Sequence, residues 1–80
     1  YIADSYNNKI KALDPAARRV RTLAGTGEAG LRDGDSPRFW EPEGITAHAD
    51  RLYIADTNNH AIRVLDVARG RVDTLGIAGF

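Results

Sequence analysis

The side chains best suited to chemistry in this sequence are aspartate and asparagine pairs that recur at a fixed distance. Asp4 and Asn7 return as Asp56 and Asn59, an offset of 52 residues. Their oxygens could bind calcium, and a carboxylate could act as an acid or base. Alternatively, each carboxylate accepts backbone N–H groups in an Asx-type turn. Because every repeated unit needs a turn but a site is needed once, we interpret all four as structural turn residues.

Other site chemistries find little support. Zinc usually takes three or four closely arranged ligands, and His48 and His60 are the only histidines, with no third ligand at suitable spacing. Cysteine is absent, which excludes a disulfide, a thiolate metal site and a CxxC centre within these residues. Gly25, Gly27 and Gly30 resemble a phosphate loop only loosely, since no Gly-Lys-Ser/Thr follows. We therefore assign no catalytic, cofactor or metal residue and expect no cofactor.

The charge balance bears on the class of partner. The 80 residues contain 11 Lys and Arg and 11 Asp and Glu, so the net charge is zero. The densest basic cluster, residues 18–21, is diluted by Asp14, Asp33 and Asp35. This composition argues against nucleic acid as the partner. No apolar run approaches the roughly 20 residues of a membrane span, so no membrane partner is expected. The composition leaves the compartment undecided.

The repeat extends well beyond the turn residues. Residues 1–10 return as residues 53–62, and Leu13-Asp14 returns as Leu65-Asp66. Self-similarity at a fixed period of this size indicates a repeat architecture. Since 80 residues hold less than two units of 52, we expect one full unit and part of another. The sequence begins at Tyr1 inside the motif, so we expect it to belong to something larger.

Short β-branched and aromatic segments between turn residues predict strands rather than helices. The predicted strands of the full unit are A (44–49), B (51–56), C (61–67) and D (71–77), and 1–4, 9–14 and 19–24 supply B, C and D of the previous unit. In strand C, alternation gives Ile62 and Val64 as the apolar face, with Arg63 pointing elsewhere. The domains are thus a partial unit (1–24), a linker (25–43) and a full unit (44–80).

The linker, 25–43, interrupts the succession of predicted strands with a segment rich in glycine and in charges of both signs. Loops of this length are usually functional or flexible. Its adjacent aromatics are Phe39 and Trp40, and alternation predicts that one packs between the units and the other faces outward. We take Trp40 as the outward one, and with Arg32 and Arg38 it is the candidate interaction surface.

Three segments together resemble a known repeat family. Residues 53–62, Tyr-Ile-Ala-Asp-Thr-Asn-Asn-His-Ala-Ile, resemble the core of an NHL repeat, and residues 38–45 resemble its Phe-x-x-Pro-x-Gly-Ile start. This resemblance implies a core position for Phe39, which leaves Trp40 to face outward. Residues 22–27 with Asp33-Gly34 resemble the long-linker subtype found beside thioredoxin-like domains. The resemblance implies an all-β fold, a partial β-propeller of about one and three-quarter four-stranded antiparallel blades. One departure is Arg18, which stands where the second copy has Gly70. If Gly70 adopts a left-handed turn, Arg18 must either accept a strain of about 1–2 kcal/mol or form a different turn.

From these features we interpret the chain as a non-catalytic scaffold that presents loops to a protein partner or to a neighbouring domain of the same parent chain. Further blades would be needed for closure. Two alternatives remain open. One is a segment of a larger enzyme, a thioredoxin-linked redox protein or a propeller lyase or hydrolase, whose catalytic residues lie elsewhere. The other is an RNA-binding propeller. Fold alone does not choose among them, because propellers host unrelated functions.

Overall fold

A computed structural model describes residues 1–75, which form two antiparallel sheets. The first sheet contains β1 (Ile2–Asp4), β2 (Lys9–Asp14) and β3 (Arg19–Ala24), and the second contains β4 (Pro42–His48), β5 (Arg51–Asp56), β6 (Ala61–Asp66) and β7 (Arg71–Thr74). Each sheet is a meander of neighbouring strands. The predicted all-β partial propeller is therefore confirmed, with the sheets as its first and second blades. The last strand was predicted over 71–77 but ends at Thr74, with Leu75 outside it, and residues 76 and 77 lie outside the described residues.

The turn after β1 repeats almost identically after β5. Short 3-10 turns, Ser5–Asn7 and Thr57–Asn59, follow residues with φ −90° and ψ 83° at Asp4 and φ −90° and ψ 81° at Asp56. Asn8 and His60 close them in the left-handed region, with φ values of 56° and 51°. Because asparagine and histidine tolerate this region better than most residues, the local sequence suits the turn.

The last turn of each blade is also left-handed. Gly70 has a φ of +68° and Arg18 a φ of +54°. Arg18 therefore adopts the strained conformation rather than a different turn. The blade geometry imposes this conformation on a residue whose Cβ disfavours it.

The hydrophobic core lies between the blades and includes the linker. Its buried members come from β2, β3, the linker and β5–β7: Ile10, Ala24, Phe39, Leu52, Ile54, Leu65 and Val72. Phe39 is fully buried, and burying a side chain of this kind is worth about 1.5–3 kcal/mol. The linker residue thus holds the two blades together.

The alternation in β6 is opposite to the prediction. Arg63 is fully buried, whereas Ile62 is 39% exposed. Arg63 shares its face with Ala61 and Leu65, and this face is covered by the linker, whose oxygen atoms solvate the guanidinium. The apolar character of Ile62 was therefore a wrong guide to the buried face, because a partnered arginine can be buried.

Candidate functional site

The linker folds back on itself and pairs with the second blade. Arg32 and Arg38 exchange backbone hydrogen bonds of 3.4 and 3.0 Å across this small hairpin. Gly34 and Val72 do the same at 2.7 and 3.0 Å, which attaches the hairpin to β7. The outer strand of the second blade thereby gains a hydrogen-bonded partner along part of its edge.

Arg63 joins the linker to the interior of the second blade. Its Nη1 donates to Asp56 Oδ2 and to the carbonyl of Arg38, both at 2.7 Å. Its Nη2 donates to the carbonyl of Arg32 at 2.6 Å and to Asp33 Oδ1 at 3.0 Å. The guanidinium carbon also lies 4.9 Å from the centroid of the Phe39 ring. One side chain therefore contacts four positions of the linker.

Asp56 also attaches the linker to the second blade. Its Oδ1 accepts the backbone N–H of Trp40 at 2.8 Å, and its Oδ2 accepts the Asn59 amide at 2.7 Å. Asn59 also donates to the carbonyl of Gly30 at 2.7 Å. No backbone N–H of the Asp56 turn is capped by this carboxylate. The aspartate binds its partner asparagine, but the backbone N–H group comes from the linker and not from the turn itself.

The equivalent residues of the first blade are simpler and more open. Asp4 Oδ2 accepts Lys11 Nζ at 2.6 Å and the Asn7 amide at 3.0 Å. The side chains of Lys11 and Asp4 are 27% and 23% exposed. The hydrogen bond from Lys11, followed by that from Asn7, lowers the pKa of Asp4 below its ordinary value.

The three residues expected at an interaction surface lie on the anchored linker. Trp40 is 45% exposed and Arg32 is exposed. Arg38 is half-buried, and its guanidinium lies 3.2 Å from Glu28. The hairpin brings Arg32 and Arg38 opposite each other. The backbone of Trp40 is fixed on both sides, because its carbonyl accepts the N–H of Asn58 at 3.1 Å.

Metal chemistry has no visible framework in residues 1–75. Both histidines are exposed. Within that range, no three His, Cys, Asp or Glu side chains come close enough together to hold a metal ion. The same residues contain no helix long and apolar enough to cross a membrane.

Sequence reasoning missed Arg63, the residue that organises this site. A signal was present, because Lys11 and Arg63 are basic residues at equivalent positions of the two copies. A recurring charge within an otherwise apolar strand indicates a buried partner when the strand lies between other layers. The full set of partners could not be read from the sequence, since two of the four acceptors are backbone carbonyl groups and Asp33 lies 30 residues away.

Comparisons with known proteins agree with this architecture. The family model described as NHL repeat matches residues 39–65. The chain is 51% identical over 73 residues to Protein SUPPRESSOR OF QUENCHING 1, chloroplastic, of Arabidopsis thaliana, covering 88% of this chain and 7% of that protein. It is 51% identical over 72 residues to NHL repeat-containing protein 2 of Bos taurus, covering 84% and 10%.

The human NHL repeat-containing protein 2 is 45% identical over 82 aligned residues, covering 96% of this chain and 11% of that protein. The chain thus spans about a tenth or less of the length of these relatives. The matching family model, the relatives and the two repeated sheets agree: the chain belongs to the NHL-repeat family.

Proposed function

We propose that this chain is a non-catalytic scaffold segment whose anchored linker presents a binding surface to a protein partner or to a neighbouring domain. The observation that carries the proposal is the attachment of the linker through the fully buried Arg63, with Trp40 left 45% exposed beside it. A loop held in one conformation loses little entropy on binding. NHL repeats generally form protein-interaction propellers, and relatives carry this repeat in their names.

The exposed groups of the linker have the chemistry of an interaction surface. Aromatic and arginine side chains are enriched among residues that dominate binding energies. The Arg32 guanidinium forms no salt bridge within residues 1–75. Arg38 is partly neutralised by Glu28. The surface therefore suits a partner with an apolar pocket for Trp40 and a carboxylate for Arg32.

We further propose that additional blades cover the open face of the first blade. Ile2, Leu13 and Val20 are 37%, 49% and 54% exposed. Their equivalents at the 52-residue offset, Ile54, Leu65 and Val72, are fully buried against the first blade and the linker. The two sheets described do not close a ring. A neighbouring blade would bury this face of the first blade, just as the first blade buries the equivalent face of the second blade.

Photo-crosslinking tests the scaffold proposal in the intact natural protein that carries these residues. A benzophenone side chain is introduced in place of Trp40 and, as a control, in place of Ala68, which is exposed in the last turn of the second blade. We expect position 40 to form an adduct with another polypeptide or with a distant segment of the same protein. The proposal would be contradicted if position 40 formed no adduct, or if positions 40 and 68 formed adducts in equal yield.

A further inference from the structure

The hairpin of the linker contains an aspartate directly followed by a glycine. Asp33 precedes Gly34, and no other aspartate in the sequence is followed by glycine. We propose that Asp33 is a site of isomerisation to isoaspartate, that the attached linker suppresses the reaction, and that isoaspartate, once formed, keeps the linker released from β7. This inference goes beyond the scaffold proposal, since it holds whatever the linker binds.

The reaction is an internal condensation followed by a hydrolysis. The backbone nitrogen of Gly34 attacks Cγ of Asp33, and the carboxyl –OH leaves as water with the proton of that nitrogen, which closes a five-membered succinimide. Water then adds to the main-chain carbonyl carbon of Asp33, and the bond from that carbon to the Gly34 nitrogen breaks. The mass is unchanged, but the main chain now runs through Cβ and Cγ. Glycine favours the attack because it has no Cβ to crowd its nitrogen.

Both reacting groups are engaged while the linker is attached. The N–H of Gly34 donates to the carbonyl of Val72 at 2.7 Å. Asp33 Oδ1 accepts the Thr74 hydroxyl at 2.7 Å and Arg63 Nη2 at 3.0 Å. The nitrogen can reach Cγ only after it leaves Val72 and the carboxylate turns away from its two donors. The reaction therefore requires local opening, and its rate follows the population of the opened linker.

Packing does not protect this dipeptide. The side chain of Asp33 is 47% exposed, so water reaches it in the folded protein. A Cβ at Gly34 would meet no atom within 4 Å, which shows that the space beside the attacking nitrogen is open. Neither ring closure nor hydrolysis is therefore blocked sterically. Within residues 1–75 the protection comes from the hydrogen bonds to β6 and β7.

Isoaspartate changes the same contacts that suppress its formation. The main chain becomes one atom longer between Cα of residue 33 and the nitrogen of Gly34, and the carboxylate moves one carbon closer to Cα. The two hydrogen bonds between Gly34 and Val72 and those from Thr74 and Arg63 to the carboxylate depend on the ordinary spacing. Both sets cannot be restored together. The modification thus converts a transient opening of the linker into a lasting one.

The test follows isoaspartate at residue 33 in the intact natural protein during incubation at physiological temperature and neutral pH. Electron-transfer fragmentation of the proteolytic peptide that carries residue 33 distinguishes the two isomers. A synthetic peptide of residues 29–38, capped at both ends, gives the rate without the fold. We expect isomerisation in the protein to be at least about tenfold slower than in the peptide, because opening breaks several hydrogen bonds.

Two matched variants connect the rate to the attachment of the linker. Thr74→Val removes one donor to Asp33 and should accelerate isomerisation about fivefold to tenfold. Thr22→Val makes the same change at the equivalent, exposed position of β3 and should leave the rate unchanged. Urea below the unfolding transition should accelerate the reaction in the unaltered protein, since it favours opening without a substitution. In the isolated isoaspartyl form, hydrogen exchange should show loss of protection at the Val72 amide.

Equal rates in the protein and the peptide would overturn the inference, because the attached linker would then give no protection. Equal rates for the two threonine variants, together with no acceleration by urea, would show that opening does not control the reaction. Retained protection of the Val72 amide in the isoaspartyl form would show that the linker reattaches. The crosslinking result at position 40 is independent of these measurements, so a negative crosslink rejects the scaffold surface and leaves this inference standing.

Discussion

The two copies of the repeat place the same aspartate and asparagine on nearly the same backbone, yet their surroundings differ. Asp56 and Arg63 have fully buried side chains, whereas those of Asp4 and Lys11 are 23% and 27% exposed. The difference is the linker, which hydrogen-bonds to Asp56 and Arg63 but, within residues 1–75, to neither Asp4 nor Lys11. In the second copy the aspartate and its basic partner therefore attach the linker to the blade, whereas in the first copy Asp4 bonds only Lys11 and Asn7 within residues 1–75.

The two copies also differ in the type of basic residue, which is arginine where the linker is contacted and lysine where it is not. Arginine offers five donors in a planar fork, which lets Arg63 reach a carboxylate and two linker carbonyls together. Lys11 is a point charge that meets Asp4. A buried ion pair gains little over a well-packed apolar pair, but loss of one partner leaves an uncompensated charge. An exposed pair contributes about 0–1 kcal/mol.

The largest expected effect comes from removing the basic residue of each copy. Arg63→Met should destabilise the second blade by about 3–5 kcal/mol, because Asp56 and two linker carbonyls lose their buried donor. Lys11→Met should cost less than about 1 kcal/mol. Denaturant unfolding of the intact protein, with hydrogen exchange to locate the opened blade, measures both. Equal costs would mean that coverage by the linker is not what separates the two copies.

A smaller effect is expected where the linker leaves the first blade. Gly25 has a φ of +108°, and a Cβ there would lie 2.5 Å from the carbonyl oxygen of Asn8 and 2.9 Å from the Cα of Lys9. Gly25→Ala should therefore cost about 3 kcal/mol, through strain and a clash with backbone.

Gly34 provides the matched control within the same linker. Its φ is +99°, but a Cβ there would meet nothing within 4 Å. Gly34→Ala should cost about 1–2 kcal/mol from backbone strain alone. Thermal unfolding of both variants separates the two causes. If the costs are equal, contact with the first blade does not position the linker.

How much the sequence could reveal differs between these parts of the molecule. The period of 52 residues and the turn residues were sufficient for the strands, because these depend on local pattern and repetition, and the resemblance to the NHL repeat supplied the partial propeller. The burial of Arg63 was missed, because period-2 alternation reports polarity and cannot show backbone carbonyls that approach from a distant linker.

The last turns of the two blades can also be compared, and smaller changes in stability are expected there. Arg18 and Gly70 share the left-handed conformation, with φ values of +54° and +68°. Arg18→Gly should stabilise the first blade by about 0.5–1 kcal/mol, because relief of strain exceeds the entropy cost of glycine. Gly70→Ala should destabilise the second blade by about 1 kcal/mol. Opposite shifts in the unfolding midpoint are expected, and shifts of the same sign would contradict this account.

The smallest expected effect is the pH dependence contributed by Asp4. Its pKa is lowered in the folded protein, chiefly by the hydrogen bond from Lys11 and then by that from Asn7. The folded state therefore binds this proton less readily than the unfolded state. The resulting stabilisation is fully present above the ordinary pKa of aspartate and is lost as the pH falls through the lower folded-state pKa.

Asp4→Asn should remove this contribution to the acid dependence of stability. Between the folded-state pKa of Asp4 and its ordinary pKa, the free energy of unfolding of the variant should then change with pH only through other carboxylates. Lys11→Met should reduce the effect without abolishing it, because Asn7 still donates to Asp4. NMR titration of the Asp4 carboxyl in the intact protein measures the pKa directly. A pKa at or above the ordinary value would show that the uncovered copy lacks a working ion pair. In that case only the second copy would contain interacting charged groups, and Lys11 would lie near Asp4 without stabilising its charge.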